Sequence, residues 1–113
     1  MKNQDISEDL AKTVYLAVGS NLGVRKENIE KAKFFLKQNN INFLSVSNYY
    51  ETPSWPNPKY PKYLNILLKV KCNHSPLKLL NICKEIEVNL GRKKIEKKTH
   101  QEYVILILLI IME

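Results

Sequence analysis

Residues 52–65 combine aromatic rings with amide and hydroxyl groups at a spacing that could bind a flat heterocycle. Tyr63 and Asn65 are two residues apart in an alternating stretch, so their side chains leave the same face of a strand. A ring can stack on the tyrosine, and the amide can match the ring's donors and acceptors. Thr52, Pro53 and Trp55 lie in the preceding loop, which could bring the indole over that face. The alternative interpretation is that the aromatic residues only pack this loop onto the sheet.

A basic segment near residue 91 could bind a polyphosphate. Arg92, Lys94 and Lys98 belong to a run of cations that follows a predicted helix, and arginine binds phosphate oxygens through two parallel hydrogen bonds. The formal net charge of +7 suits an anionic partner, either a nucleotide or a nucleic acid. An ordinary solvated loop has the same composition, so both interpretations stay open.

The segment GSNLG, residues 19–23, connects a predicted strand to a predicted helix. Such a turn can present backbone N–H groups to phosphate. However, the sequence contains neither GxxxxGK[ST] nor GxGxxG, and a tight turn needs no ligand.

The cysteines and histidines show no metal-binding or catalytic spacing. Cys72 and Cys83 form no CxxC pair and are interpreted as reduced thiols, while His74 and His100 are interpreted as incidental. The polar N-terminus and the short apolar run at residues 104–112 predict neither a signal peptide nor a spanning helix. The expected location is the cytoplasm.

Alternation and helical periodicity predict the order strand, helix, strand, strand, helix, strand. The predicted strands are residues 13–18, 43–50, 63–71 and 104–112, and the helices are residues 25–37 and 76–90. This order favours an α+β, ferredoxin-like sandwich with a mainly antiparallel sheet and two helices on one face. Four of the five prolines fall in residues 51–61, which predicts a stiff loop.

The predicted elements also have predicted packing faces. In residues 63–71, one face carries Tyr63, Asn65, Leu67 and Lys69, and the other is fully aliphatic. Ile29, Ala32, Phe35 and Leu36 form the stripe of the first helix, which ends at residues 39–40. The second helix has Ser75 as N-cap, Pro76 at its first position, Gly91 after its end, and a stripe of Leu77, Leu80, Cys83 and Leu90.

Taken in order, the segments VYLAVGSNLG, SNYYETPSW, YPKYLNILLKV and SPLKLLNICKEIEVNLGR, followed by the basic loop, resemble the 6-hydroxymethyl-7,8-dihydropterin pyrophosphokinases of folate biosynthesis. The resemblance covers residues 13–98, preceded by a loose lead at residues 1–12. It implies a ferredoxin-like fold and transfer of a pyrophosphoryl group from ATP to the pterin hydroxymethyl oxygen, with release of AMP. It implies small-molecule substrates. The chain is also predicted to be a monomer without a membrane or nucleic-acid partner.

The resemblance also implies roles for individual residues. Those at pterin-binding positions are Thr52, Pro53, Trp55, Tyr63 and Asn65, with Trp55 standing where a smaller apolar residue is common. Those at nucleotide-binding positions are Lys84, Glu87, Arg92, Lys94 and Lys98, with Lys84 in place of a frequent glutamine. Arg92 would also act as a catalytic residue, on a basic loop that closes over the phosphates.

Residues 99–113 depart from the family pattern. The family continues with Pro-Arg-x-x-Asp-x-Asp, whose aspartates hold Mg²⁺, whereas this stretch reads THQEYVILILLIIME and contains no aspartate. Synonymous codons for residues 104–113 exist that read Asp-Ile-Asp in a shifted frame. The hypothesis is therefore that residues 99–113 are an out-of-frame tail on an incomplete domain, residues 13–98. On this hypothesis the chain has no metal ligands. Alternative functions are an inactive remnant and a small nucleic-acid-binding module.

Overall fold

A computed structural model of the chain describes residues 12–54, 57–91 and 105–111. Its elements in chain order are β1 (Lys12–Ser20), α1 (Arg25–Gln38), β2 (Asn42–Val46), β3 (Tyr50–Thr52), β4 (Tyr63–Cys72), α2 (Pro76–Asn89) and β5 (Leu106–Ile111). The sheet order is β2-β4-β1-β5, with β3 also paired to β4, and every described pairing is antiparallel. The α+β, ferredoxin-like prediction is confirmed.

The core lies between one face of the sheet and the two helices. Alternate residues of β1 and β4, such as Leu16 and Leu68, are fully buried there because successive side chains of a strand point to opposite faces. On α1, Ile29, Ala32 and Leu36 fill the same core. The predicted faces of α1 and β4 are therefore confirmed. None of the helices within the described ranges is long and apolar enough to cross a membrane.

The stripe predicted for α2 is wrong in part. Leu77 is 67% exposed and Leu80 38% exposed, whereas Cys83 is buried as predicted. The buried face of the helix consists of Leu79, Ile82, Cys83, Ile86 and Glu87. Apolar residues occupy several faces of this helix, so periodicity alone did not fix which one packs inward. The predicted ends are correct, because the Ser75 side chain accepts a hydrogen bond from the Lys78 N–H and Gly91 has a φ of 118°.

The single strand predicted at residues 43–50 is in fact two strands, β2 and β3. The pairing of β2 with β4 shifts register between Phe43 and Ser45, where Leu44 is the extra residue. Farther along, the Leu67 N–H donates to the Ser47 hydroxyl at 2.8 Å. A side-chain oxygen therefore takes a position that a backbone carbonyl would hold in a regular ladder, and the strand is interrupted.

The terminal apolar run forms β5, a strand that pairs with β1 along its whole length. Ile105 and Ile107 are buried in the core, whereas Leu108 is 53% exposed and Ile110 43% exposed. The predicted strand is present, but only one of its faces is buried. Among the described strands it lies at the edge of the sheet.

The two cysteines are free, in agreement with the sequence prediction, and the structure shows that both are buried. Burial, with smaller effects from Glu87 and Cys72, raises the pKa of the Cys83 thiol from 9.0 to about 12. The protonated thiol is favoured by folding, so the free energy of unfolding should fall as the pH rises from 9.0 to about 12. Ellman's reagent at pH 8 should react slowly with the native protein and fully after denaturation. Rapid reaction of both thiols in the native state would contradict this expectation.

Candidate functional site

Asn65 on β4 has an amide group that is held in one orientation by β3. Its Nδ2 atom donates to the Tyr50 carbonyl at 3.2 Å and to the Thr52 Oγ1 at 3.0 Å. These contacts follow from the register, because Tyr50 lies opposite Asn65 and Thr52 opposite Tyr63. With both N–H groups engaged, the Oδ1 atom is left as a fixed acceptor, to which no donor within residues 12–54, 57–91 and 105–111 is bonded.

Gly19, at the end of β1, is what allows Asn65 and Tyr63 to lie so close to the backbone. A Cβ atom at residue 19 would lie 2.7 Å from Asn65 Oδ1 and 3.3 Å from Tyr63 Cδ1. Real Cβ contacts are not found at the first of these distances, so any larger residue would displace the amide. The glycine therefore forms the floor beneath the two predicted pterin-binding side chains.

The ends of the proline-rich loop are joined by buried side chains. Asn21 Nδ2 donates to Ser54 Oγ at 3.2 Å and to the Pro61 carbonyl at 3.0 Å. The Ser54 hydroxyl in turn donates to the same carbonyl at 2.8 Å. Asn21 is 3% and Ser54 2% exposed. The contacts join the turn after β1 to both arms of the loop between β3 and β4.

Arg25, the first residue of α1, makes a second and more exposed connection to the same region. Its guanidinium donates to Glu51 Oε2 at 2.8 Å and to the Lys62 carbonyl at 3.0 Å. The Arg25 guanidinium holds the pKa of the Glu51 carboxyl below its ordinary value. Both side chains are partly exposed to solvent, so this ion pair contributes little to the stability of the fold. Its main effect is to orient the Arg25 and Glu51 side chains.

Glu87 lies at the contact between α2 and β5. Its side chain is buried at 5% exposure, and Oε2 accepts a hydrogen bond from the Ile107 N–H at 2.9 Å. Lys84 lies on the exposed surface of the same helix, in a shallow depression that Asn81, Glu85, Val88 and Asn89 also line. The two predicted nucleotide-binding residues of α2 therefore occupy different surroundings.

The sheet brings the predicted pterin-binding residues and Glu87 to the same end of the described fold. Gly19 pairs with Asn65 on one side and with Leu106 on the other. Adjacent strands lie about 4.8 Å apart, so residues 65 and 106 are separated by about 10 Å. Ile107, the partner of Glu87, directly follows Leu106. A substrate bound at Asn65 would therefore lie near the start of β5.

Comparison with known proteins identifies the family to which this architecture belongs. A sequence model of the 7,8-dihydro-6-hydroxymethylpterin-pyrophosphokinases (HPPK) matches residues 15–111, most of the chain. The chain is a member of the HPPK family. The match includes β5, beyond the segments on which the resemblance was first based.

Several curated HPPK relatives are similar over most of this chain. The 2-amino-4-hydroxy-6-hydroxymethyldihydropteridine pyrophosphokinases of Haemophilus influenzae and Aquifex aeolicus are 31% and 37% identical over 86 and 82 residues. These segments are 75% and 73% of this chain but 54% and 51% of the relatives. The folic acid synthesis protein fol1 of Schizosaccharomyces pombe is 39% identical over 84 residues, which are 74% of this chain and 12% of fol1. The chain thus spans about half the length of the first two relatives.

The described residues of this HPPK-family chain do not fit the Mg²⁺ that the resemblance implies. Mg²⁺ prefers carboxylate and other oxygen ligands, whereas residues 105–111 are all leucine or isoleucine. Among residues 12–54, 57–91 and 105–111, no three histidine, cysteine, aspartate or glutamate side chains form a group that could hold a metal ion. Glu102 lies outside the described residues.

The structure brings together some of the predicted site residues. Thr52, Tyr63 and Asn65 lie together on one face at the β3–β4 pairing, and Pro53 directly follows. Trp55, Arg92, Lys94 and Lys98 lie outside the described residues.

Sequence reasoning missed the contribution of Gly19, Asn21 and Ser54 to this region. The signal that could have indicated it is the segment GSNLG, interpreted only as a tight turn or a phosphate-binding turn. An asparagine there can reach a neighbouring loop as well as shape its own turn.

We expect replacement of Glu87 with alanine to destabilise the fold, because the Ile107 N–H would lose its buried acceptor. The expected loss in the free energy of unfolding is about 1–3 kcal/mol, measured by urea denaturation. Glu87→Gln keeps an acceptor oxygen and should recover most of this loss. Glu85→Ala on the exposed face is the control and should change stability by less than about 0.5 kcal/mol. A Glu87→Ala protein as stable as wild type would contradict the structural role.

Proposed function

We propose that this chain carries the pterin-binding region of an enzyme that transfers pyrophosphate from ATP to 6-hydroxymethyl-7,8-dihydropterin in the cytoplasm. The observation that carries the proposal is the fixed amide of Asn65. Its N–H groups are bonded to β3 and its Oδ1 atom points across Gly19. A single oriented acceptor beside an aromatic ring is suited to a flat heterocycle with N–H groups along one edge.

The pterin ring would be held by a small set of complementary contacts. In this proposal Asn65 Oδ1 accepts a hydrogen bond from a ring N–H, and the Tyr63 ring stacks on the heterocycle. Thr52 and Pro53 form the adjacent wall, where backbone groups can meet the remaining polar edge. Trp55, outside the described residues, is assigned to the same site from the family resemblance. The pairing of β3 with β4 supports this arrangement, because it places Thr52 opposite Tyr63.

The nucleotide would bind beside the pterin, towards α2 and β5. We assign Lys84, Glu87, Arg92, Lys94 and Lys98 to this part of the site. Arginine and lysine can neutralise the ATP phosphates, and Arg92 can stabilise negative charge as the pyrophosphoryl group transfers. The position of Glu87 supports the assignment, because its carboxylate fixes Ile107 one residue from the Asn65–Gly19–Leu106 row.

We also propose that residues 99–113 replace the metal-binding stretch of the family through a shifted reading frame. Sequencing the gene from the codon of Lys97 onward tests this. A second frame that reads Pro-Arg-x-x-Asp-x-Asp and continues openly would support the proposal, whereas a sequence with no such frame would refute it.

Binding of the pterin itself is the direct test of the proposed function. The oxidised analogue 6-hydroxymethylpterin is stable and fluorescent, so its binding can be followed by fluorescence quenching and by calorimetry. We expect saturable binding with one site per chain, without any requirement for ATP or metal. The absence of binding at millimolar analogue, with a protein that is folded by circular dichroism, would refute the pterin assignment.

A further inference from the structure

The turn between β1 and α1 sends one of its polar side chains across to the proline-rich loop. Ser20 and Asn28 close the turn itself. The Ser20 hydroxyl donates to the Leu22 carbonyl at 3.3 Å, and Asn28 Nδ2 donates to that carbonyl at 2.8 Å and to Ser20 Oγ at 3.1 Å. Asn21 instead donates to Ser54 and Pro61, which are 33 and 40 residues away in sequence. The Asn21 amide therefore binds the loop between β3 and β4, whereas the Ser20 and Asn28 side chains bind within the turn.

The contact of Asn21 with Ser54 and the Pro61 carbonyl is a closed hydrogen-bonded triangle, which we call the loop lock. Each of the two Nδ2 hydrogens has an acceptor, and the serine hydroxyl both accepts from Asn21 and donates to Pro61. Both side chains are nearly inaccessible to water. Removal of one hydrogen-bonding group would leave its buried partner unsatisfied and so cost free energy, because water cannot easily replace the lost hydrogen bond.

The loop needs such a lock because its backbone can make few hydrogen bonds of its own. Prolines at 53, 56, 58 and 61 have no N–H to donate. Within the described part of the loop, the backbone–backbone hydrogen bond runs from the Tyr60 N–H to the Asn57 carbonyl at 3.2 Å. Side chains from outside the loop therefore take over the task of fixing its ends.

We infer that Asn21 is a positioning residue for the pterin pocket and acts through Ser54 and Pro61. Ser54 directly follows Thr52 and Pro53, and Pro61 lies two residues before Tyr63. The loop lock thus fixes both chain segments that carry the pterin-binding positions, while Gly19 of the same turn leaves room for Asn65. The segment GSNLG then serves pterin recognition, and phosphate binding is not needed to explain it. The inference rests on the proposed function.

The test compares two variants of the loop lock with one matched control. Asn21→Asp has the same shape but cannot donate to Pro61, and its negative charge would face that carbonyl at pH 8. We expect its affinity for 6-hydroxymethylpterin to be at least about tenfold weaker. Ser54→Ala removes only the hydroxyl and should weaken binding about threefold to tenfold. Asn28→Asp removes an amide that donates from α1 to the same turn and, within the described residues, makes no hydrogen bond to the loop. It should bind as wild type does.

Affinities are measured at a temperature at which circular dichroism shows every variant to be folded, so a general loss of stability does not count as loss of binding. Weaker binding by both lock variants, with wild-type affinity in Asn28→Asp, supports the inference. Wild-type affinity in Asn21→Asp overturns it and leaves the proposed function intact. Absence of binding by the wild-type chain overturns both. Equal weakening in Asn28→Asp also overturns the inference, because the effect would then belong to the turn as a whole.

Discussion

Mixed with Mg²⁺, ATP and 6-hydroxymethyl-7,8-dihydropterin, this chain is expected to release AMP at least about 1,000-fold more slowly than the Haemophilus influenzae relative. A metal ion at transferring phosphates is worth several kcal/mol, and about 1.4 kcal/mol corresponds to tenfold in rate. Residues 99–113 contain no aspartate, and the described part of β5 offers only hydrocarbon side chains. Coupled detection of AMP under single-turnover conditions measures the rate. A rate within tenfold of the relative, or micromolar binding of Mg·ATP in calorimetry, would contradict this expectation.

Carboxylates introduced at Leu106 of β5 and two residues before it in the sequence should create a Mg²⁺ site if these ligands are what the chain lacks. Ile105 and Ile107 are buried in the core, so Leu106 is the better described position for an aspartate at the start of β5. Val104 lies two residues before it in the sequence, outside the described residues, and supplies the second aspartate of an Asp-x-Asp pair. Leu106 lies in the row with Gly19 and Asn65, about 10 Å from the predicted pterin-binding residue Asn65. The variant Val104→Asp with Leu106→Asp should bind Mg²⁺ in the presence of ATP at millimolar concentration, as measured by calorimetry.

The matched control for this gain is the pair Leu108→Asp and Ile110→Asp. It adds the same charge, at exposed positions of β5 that lie farther from Asn65. Metal binding by the first pair alone would place the site beside the pterin position. Equal binding by both pairs would show a general effect of added negative charge and would contradict the assignment to Leu106.

Replacing Asn65 with alanine should weaken binding of 6-hydroxymethylpterin by about 100-fold or more, since each lost hydrogen bond in a buried site costs about 1–3 kcal/mol. The change removes the acceptor Oδ1 and also releases Thr52, which receives a hydrogen bond from the same amide. Fluorescence titration measures the affinity. The pairing of β3 with β4 also includes Leu64 and Tyr63, and β4 is paired with β1 along its length, so we expect the fold to survive.

Asn42→Ala is the control for Asn65→Ala. Asn42 is an exposed asparagine on β2 that pairs with Lys71, at the far end of the same sheet. It should leave pterin affinity and the melting temperature close to the wild-type values. Unchanged affinity in Asn65→Ala, with a folded protein, would remove Asn65 from the pterin site.

The sequence predicted the elements whose apolar residues follow a single regular pattern. On α1, Ile29, Ala32 and Leu36 fall on one stripe, and β4 alternates strictly, so both elements and their buried faces were correct. On α2, apolar residues such as Leu77 and Leu79 lie on different faces, so the pattern could not select one. The break between β2 and β3 depends on the Ser47–Leu67 contact, which no local pattern encodes.

In the candidate site, too, the features that follow from local residue spacing were predicted, and those that depend on long-range contacts were not. The shared face of Tyr63 and Asn65 follows from their spacing of two, and the structure adds Thr52 beside them. Their binding of pterin stays a prediction. The contributions of Gly19 and Asn21 depend on which strand lies beside β4 and on how the loop folds back. These contacts join residues more than 30 positions apart, and periodicity carries no information at that range.

The described residues that we assign to pterin binding and the loop lock all fall between Gly19 and Asn65, whereas β5 follows every other described strand in the sequence. In the sheet β5 pairs with β1, so among the described strands one edge of β1 stays unpaired until β5 is added. During translation, the elements from β1 to β4 can therefore assemble while α2 and β5 are still in the ribosome. We expect the proposed pterin pocket to form early in synthesis, and the pairing of β5 with β1 to be the slow, long-range step of folding.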